Sequence, residues 1–267
     1  MMDWVHDLPS RVFGPLCVAA FILPTMAGLW LVHRKVHQRL RLTETLIDNG
    51  VVGWFFSGIF TIYGITLGLI AVTTWESYSR VSGIVSQEAS SIAALYRDTA
   101  GFPDPLRDDL QHRLREYTRY LIDRVWPAQR LGESPTEGNR MLDEFESDLY
   151  SNEPASEGQR ILQAEAIKAF NELIEFRRRR IEALGSGVPG VVWVVVLLGG
   201  ALTIVTSFCF QLKEYKVHLL LSSALAAMIG LLVFLIQTFD RPFRGTVSID
   251  ATAYEIIYDG LMKQDAK

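Results

Sequence analysis

The sequence is poor in cysteine and, over four long stretches, devoid of charge. Its two cysteines, Cys17 and Cys209, lie far apart in apolar surroundings. That excludes a disulfide framework and a cysteine-built metal centre, and both read as small core residues. No Walker loop, GxSxG, HExxH or Cys/His metal spacing occurs, so neither an enzyme nor a cofactor has support. A formal charge of −4 gives no reason to expect a nucleic-acid partner. Period-two alternation is also missing, which argues against strands.

The chain is 49% hydrophobic and yet 21% charged, and these fit together only if the two kinds of residue are segregated. They are. Val12 to Val32, Val51 to Thr74, Val188 to Leu212 and Val217 to Phe239 each lack Asp, Glu, Lys and Arg. About 20 apolar residues at 1.5 Å each cover a hydrocarbon core about 30 Å thick, so each run is long enough to span a bilayer. A helix buried in a globular core is shorter and amphipathic. The first run lacks the basic flank of a signal peptide and is too long for its apolar segment, so it counts as a span.

These runs predict an all-α protein with four transmembrane helices and an extramembrane helical bundle inserted between spans 2 and 3. The divisions are 1–74 (spans 1 and 2), 75–187 (the bundle), 188–239 (spans 3 and 4) and 240–267 (the tail). The lipid bilayer is the first partner, and the location is a cell membrane crossed several times, the inner one if the source is bacterial. The positive-inside rule leaves orientation open. An outside N-terminus leaves Arg34, Lys35, Arg39, Arg41, Lys213 and Lys216 inside, whereas an inside one leaves Arg11, Arg80, Arg177 to Arg180, Arg241 and Arg244 there.

Past span 2, Val81, Ile84, Val85, Ala89, Ile92 and Leu95 keep a helical period and no proline intervenes before Pro103. One rod from about Val51 to Thr99 is expected, roughly 70 Å long. A second helix carries Leu106, Leu110, Leu114, Tyr117 and Leu121 and is expected to stop at Trp126-Pro127. Ser134-Pro135-Thr136-Glu137 has the spacing of a capping box, and its helix presents Met141, Leu142, Phe145 and Leu149. Another helix starts near Ser156 and presents Leu162, Ala166, Ala169, Leu173 and Phe176. A short amphipathic helix with Tyr254, Ile257, Tyr258 and Leu261 closes the tail.

Span 2 carries a stripe of small or weakly polar residues: Gly53, Ser57, Thr61, Gly64, Gly68 and Ala71, at spacings of three and four. Such a stripe lets helices approach closely in lipid, or it lines a pore when several subunits surround an axis. No acidic or basic residue lies near mid-membrane, which disfavours pumps and ion-coupled carriers but allows a channel gated by an apolar constriction. Trp75 marks the membrane surface after span 2, and Asp240, Arg241, Pro242 and Phe243 mark it after span 4, where Asp240 and Arg241 are candidates for an ion pair. The run Arg177, Arg178, Arg179, Arg180 either draws anions or lipid phosphates or caps its helix electrostatically. His33 and His37 share a helix face, but the cations around them oppose a metal.

Tyr63, Leu67-Gly68, Trp75-Glu76-Ser77-Tyr78, Glu88-Ala89, Leu95-Tyr96-Arg97, Trp126-Pro127, Asn171, the arginine run, Trp193 and Asp240-Arg241-Pro242-Phe243 with Gly245 follow in an order that resembles the bestrophin-like domain family. The resemblance covers about Val51 to Gly245. It implies a distant relation to bestrophins, pentameric anion channels whose second span lines the pore. It therefore implies a homo-oligomer with Ser57, Thr61, Gly64 and Gly68 near the axis, permeant anions, and both termini in the cytoplasm. The acidic cluster of calcium-responsive bestrophins is replaced here by scattered Asp250, Glu255 and Asp259, and the bulky lining of their pore neck by small residues. The alternative is a non-conducting scaffold or sensor that relays state along the rod.

Overall fold

The structure is a computed structural model, and it describes residues 10–39, 48–210, 212, 214–245 and 247–263. Arg41 and Lys213 lie outside the described residues, as do the side chains of Arg11, Lys35, His37 and Arg39. The elements are all helical: α1 (Ser10–Arg39), α2 (Asn49–Thr99), α3 (Leu106–Tyr120), α4 (Trp126–Arg130), α5 (Glu137–Ser151), α6 (Glu157–Ala183), α7 (Gly190–Ser207), α8 (Tyr215–Asp240) and α9 (Thr252–Ile257). No strand occurs among the described residues. Four helices, α1, α2, α7 and α8, are long and apolar enough to cross a membrane. By contact the chain forms two compact units, one from the described residues of Met1–Ser77 with Gly187–Asp240, the other from those of Tyr78–Ser186 with Arg241–Lys267.

In the first unit α1 packs along α8, with Phe13 on Phe234 at 5.7 Å between ring centroids. A methyl added at Gly230 would lie 3.0 Å from the Cα of Val18, so the helices close to backbone contact there. α2 meets α7 through Tyr63, whose hydroxyl donates to the Val196 carbonyl at 2.7 Å. The Tyr63 ring occupies the space that side chains at Gly199 and Gly200 would need. Small residues thus do in this unit what apolar attraction does in water, because lipid is as apolar as the helices themselves. Span 3 is shorter than its charge-free run: the helix ends at Ser207 and a turn begins at Phe208.

Outward faces of these spans stay uncovered. Trp54, Phe55, Ile62, Ile65 and Leu69 of α2, Leu198 and Leu202 of α7 and Leu220 and Met228 of α8 are all exposed. An apolar surface on this scale is stable only against lipid or another protein.

The second unit is a helical bundle around one core. From α2 it takes Val81, Val85, Ala89, Ile92 and Leu95, from α3 Leu110, Leu114 and Tyr117, from α5 Leu142, Phe145 and Leu149, and from α6 Ala166, Ala169, Phe170 and Leu173. Arg113 ties α3 to α5 through Glu144 at 2.7 Å and Asp148 at 2.5 Å. Ser156 caps α6, its hydroxyl accepting from the Gln159 N–H at 3.2 Å.

Two local expectations fail. α3 does not stop at Trp126-Pro127: a π-helical turn over Leu121–Val125 carries it into α4. Proline lacks an N–H and its ring crowds the carbonyl four residues back, and a widened turn just before Pro127 absorbs both. The capping box before α5 is not used either, since Thr136 occupies the N-cap position without a side-chain hydrogen bond.

Candidate functional site

The span portion of α2 has three faces. Tyr63, Leu67, Ala71 and Thr74 are buried. Trp54, Phe55, Ile62, Ile65 and Leu69 form a bulky exposed face. Between them runs the small stripe. Methyl groups added at Gly64 or Gly68 would meet nothing within 4 Å, one at Gly53 would touch only the Phe210 ring at 4.0 Å, and Ser57 and Thr61 are exposed. Ala71 departs from the other five, being buried at 8% exposure. From Gly53 to Gly68, then, the stripe is not what packs α2 against its own chain.

The hydroxyls on the stripe are also unusual for a span. Off the stripe, the hydroxyls of Thr66 and Thr74 turn back onto the carbonyls of Ile62 and Ile70, as those of Thr203, Thr206 and Thr238 do in α7 and α8. The hydroxyls of Ser57 and Thr61 make no hydrogen bond among the described residues. In lipid an unpaired hydroxyl costs free energy, and in water it does not.

At the membrane-surface motif, the exposed Trp75 stands edge-on to Phe239 at 5.2 Å. Asp240, buried at the end of α8, accepts from the Val188 N–H just ahead of α7. Its charge therefore sits at the positive end of α7, rather than on the Arg241 guanidinium that the sequence suggested. Phe243 is buried in the bundle 6.0 Å from the Trp126 ring, and the Pro242 carbonyl accepts from the Ile249 N–H at 2.8 Å.

The four arginines do not form one patch. Arg178 pairs with Glu175 at 2.8 Å and Glu182 at 3.8 Å, Arg179 with Glu175 at 2.8 Å, and Arg177 donates to Asn139 at 2.5 Å. Arg180 is buried. It holds Glu88 of α2 through Nε to Oε2 at 2.6 Å and Nη2 to Oε1 at 3.1 Å, and lies over the Trp126 ring at 5.6 Å. Burial works against the guanidinium's charge, but the carboxylate of Glu88 more than offsets this and raises its pKa. Tyr117 and Tyr254 border the pair, and burial, reinforced by Glu88, pushes both phenols up, so they keep their protons.

The sequence reading missed this pair. A signal was present: Glu88 stands alone among Val81, Val85, Ala89, Ile92 and Leu95, and Arg180 continues the face of Ala166 and Leu173. Opposite charges on two buried faces are expected to meet. His33 lies with its ring tilted 4.7 Å from that of Tyr215, and no metal-holding cluster occurs among the described residues.

Four apolar spans with a helical bundle inserted between the second and third define a multi-pass membrane protein. Residues 19–254 match the family described as Bestrophin-like domain, so the chain belongs to that family. It is similar to a crystal structure of a bacterial bestrophin homologue from Klebsiella pneumoniae carrying a point substitution, with TM-score 0.72 and 14% identity over 94% of this chain and 99% of that one. A zinc-phased structure of a bestrophin homologue from the same organism gives 0.70 and 15% over 94% and 98%. A point variant described as a membrane protein gives 0.71 and 15% over 92% and 97%. No curated protein matches. At such identities the likeness establishes the fold.

Proposed function

We propose that this chain is the subunit of a homo-oligomeric ion channel of bestrophin-like type, permeable to anions, with the stripe of α2 facing the conduction path. The observation that carries the reading is the uncovered run Gly53, Ser57, Thr61, Gly64, Gly68 with two hydroxyls left unpaired. A hydrated path satisfies those hydroxyls, and small side chains leave room for ions. No charge sits on the stripe, so selectivity arises from dipoles and width. Family membership supports the same reading, since bestrophins conduct anions.

The test is flux. Purified oligomer in liposomes is expected to pass halide above empty vesicles, and an oligomeric preparation without flux overturns the proposal. The scaffold or sensor reading has one observation in its favour: α2 runs unbroken for 51 residues, about 76 Å at 1.5 Å per residue. On that reading liposomes stay tight while the stripe packs dry.

A further inference from the structure

The face of α2 that packs against its own chain does not stay closed along its length. Phe56, Phe60, Tyr63 and Leu67 share that face, at spacings of four, three and four. Tyr63 and Leu67 are buried, whereas Phe56 and Phe60 border a cleft of about 360 Å³, with Leu221 and Leu225 of α8 also lining it. Phe210, just past the end of α7, sets its ring edge-on to Phe56 at 5.3 Å and lines the cleft too. Phe60 and Leu221 are exposed, so the cleft opens toward whatever surrounds the spans. Its volume and its aromatic and aliphatic walls are those of a small-molecule pocket, a class that runs from about 300 to 1,000 Å³.

The cleft has a polar end, made among the described residues by Ser207, Ser222 and His218. α7 ends at Ser207 and the charge-free run of span 4 begins at Val217, so this end lies at the membrane surface. From His218 to Leu225 the apolar part reaches about 10 Å inward, at 1.5 Å per residue. The Ser207 hydroxyl is already engaged, donating to the Ile204 carbonyl at 2.6 Å. His218 Nε2 lies 3.0 Å from the Ser207 carbonyl, and a carbonyl only accepts, so Nε2 carries the proton. Nδ1 has no partner among the described residues, and in a neutral ring with Nε2–H it is an acceptor. A ligand that completes this end brings a proton to it.

We propose that this cleft binds one long-chain carboxylic acid that enters from the bilayer, its head on His218 Nδ1 and its tail between Phe56, Phe60, Leu221 and Leu225. The carboxyl group supplies the proton that Nδ1 takes, whether that proton stays on the acid or moves to the ring and leaves an ion pair. A phospholipid phosphodiester has no such proton to give. Exposed Glu214 and Lys216 flank this end with opposite charges, and the N-terminal end of α8 adds a partial positive charge that favours a carboxylate. The cleft is built within one protomer and away from the α2 stripe, so the proposal stands whether or not the protein conducts.

Oleate is the probe, with oleyl alcohol for comparison. The full chain, stripped of lipid in detergent, is expected to bind one oleate per protomer by native mass spectrometry, and oleyl alcohol about fivefold more weakly. Crystals soaked in a brominated stearate should show an anomalous peak between Phe60 and Leu225. Leu221→Trp fills the mouth of the cleft from an exposed position, and His218→Phe removes the acceptor for the head. Each should weaken oleate about tenfold, with melting in the absence of oleate showing that the variant folds. Undiminished binding in either folded variant overturns the proposal, as does bromine found only on the outer faces of the spans. Equal binding of oleate and oleyl alcohol overturns the carboxylic acid as the occupant.

Discussion

Arg180 of α6 and Glu88 of α2 meet in the core of the bundle through two hydrogen bonds, 2.6 and 3.1 Å long, with side chains 1% and 0% exposed. Removing one partner strands the other charge away from water, which costs about 3–5 kcal/mol, while replacing both with apolar residues of similar size costs far less. Glu88→Leu and Arg180→Met should each lower the melting temperature sharply in detergent. The double variant Glu88→Leu/Arg180→Met should recover much of the loss, and additive losses would show that the pair is not coupled.

Accessibility of the stripe separates a wet path from dry packing. In a background with Cys17→Ser and Cys209→Ser, cysteines at Ser57 and Thr61 should react readily with a membrane-impermeant thiol reagent. Cysteines at Ile62 and Leu69, on the bulky face, should react at least about tenfold more slowly, because thiolates form poorly in apolar surroundings. Equal protection at all four positions would count for the scaffold.

Packing of α2 against α7 depends on the absence of a side chain. An added Cβ at Gly199 would lie 2.6 Å from the Tyr63 ring, so Gly199→Ala forces that ring or the helix to move. The expected loss is about 1–3 kcal/mol, read as a lower melting temperature in detergent. Tyr63→Phe should cost about 1 kcal/mol for the hydrogen bond to Val196, and it leaves the clash in place when combined with Gly199→Ala.

Acidity gives a further check. Burial, and then the neighbouring carboxylate of Glu165, raise the pKa of Asp98 above its ordinary value. The folded state then holds this proton more tightly than the unfolded one, so the contribution of Asp98 to stability is greatest below the ordinary carboxylate pKa and falls as pH rises through the raised one. Asp98→Asn should therefore melt higher than the parent at neutral pH. The difference should shrink as the solution is acidified, and a difference constant with pH would remove Asp98 as its source.

Much of the architecture was legible because lipid imposes a crude rule. Charge-free runs of bilayer length read directly as α1, α2, α7 and α8, and periodic apolar positions such as Leu110, Leu114 and Tyr117 identified the bundle faces. What escaped depends on partners distant in sequence. Glu88 and Arg180 are 92 residues apart, and either alone looks like a solvated charge. Asp240 could be placed at the end of a span but not on the backbone of Val188. The stripe was visible, yet only the fold shows that Ala71 is covered while Gly64 and Gly68 are not.

The widened turn at Leu121–Val125 sets the angular frame of everything after it in that helix. It holds one residue more than a regular turn, and one residue is worth about 100° of rotation. Through that offset Trp126 faces Phe243 and Tyr254, with its indole N–H on the Ile249 carbonyl, and the amide of Gln129 lies in the interior. Excising a single residue there would regularise the coil and swing the indole out of its seat, leaving the C-terminal tail without the ring it folds against.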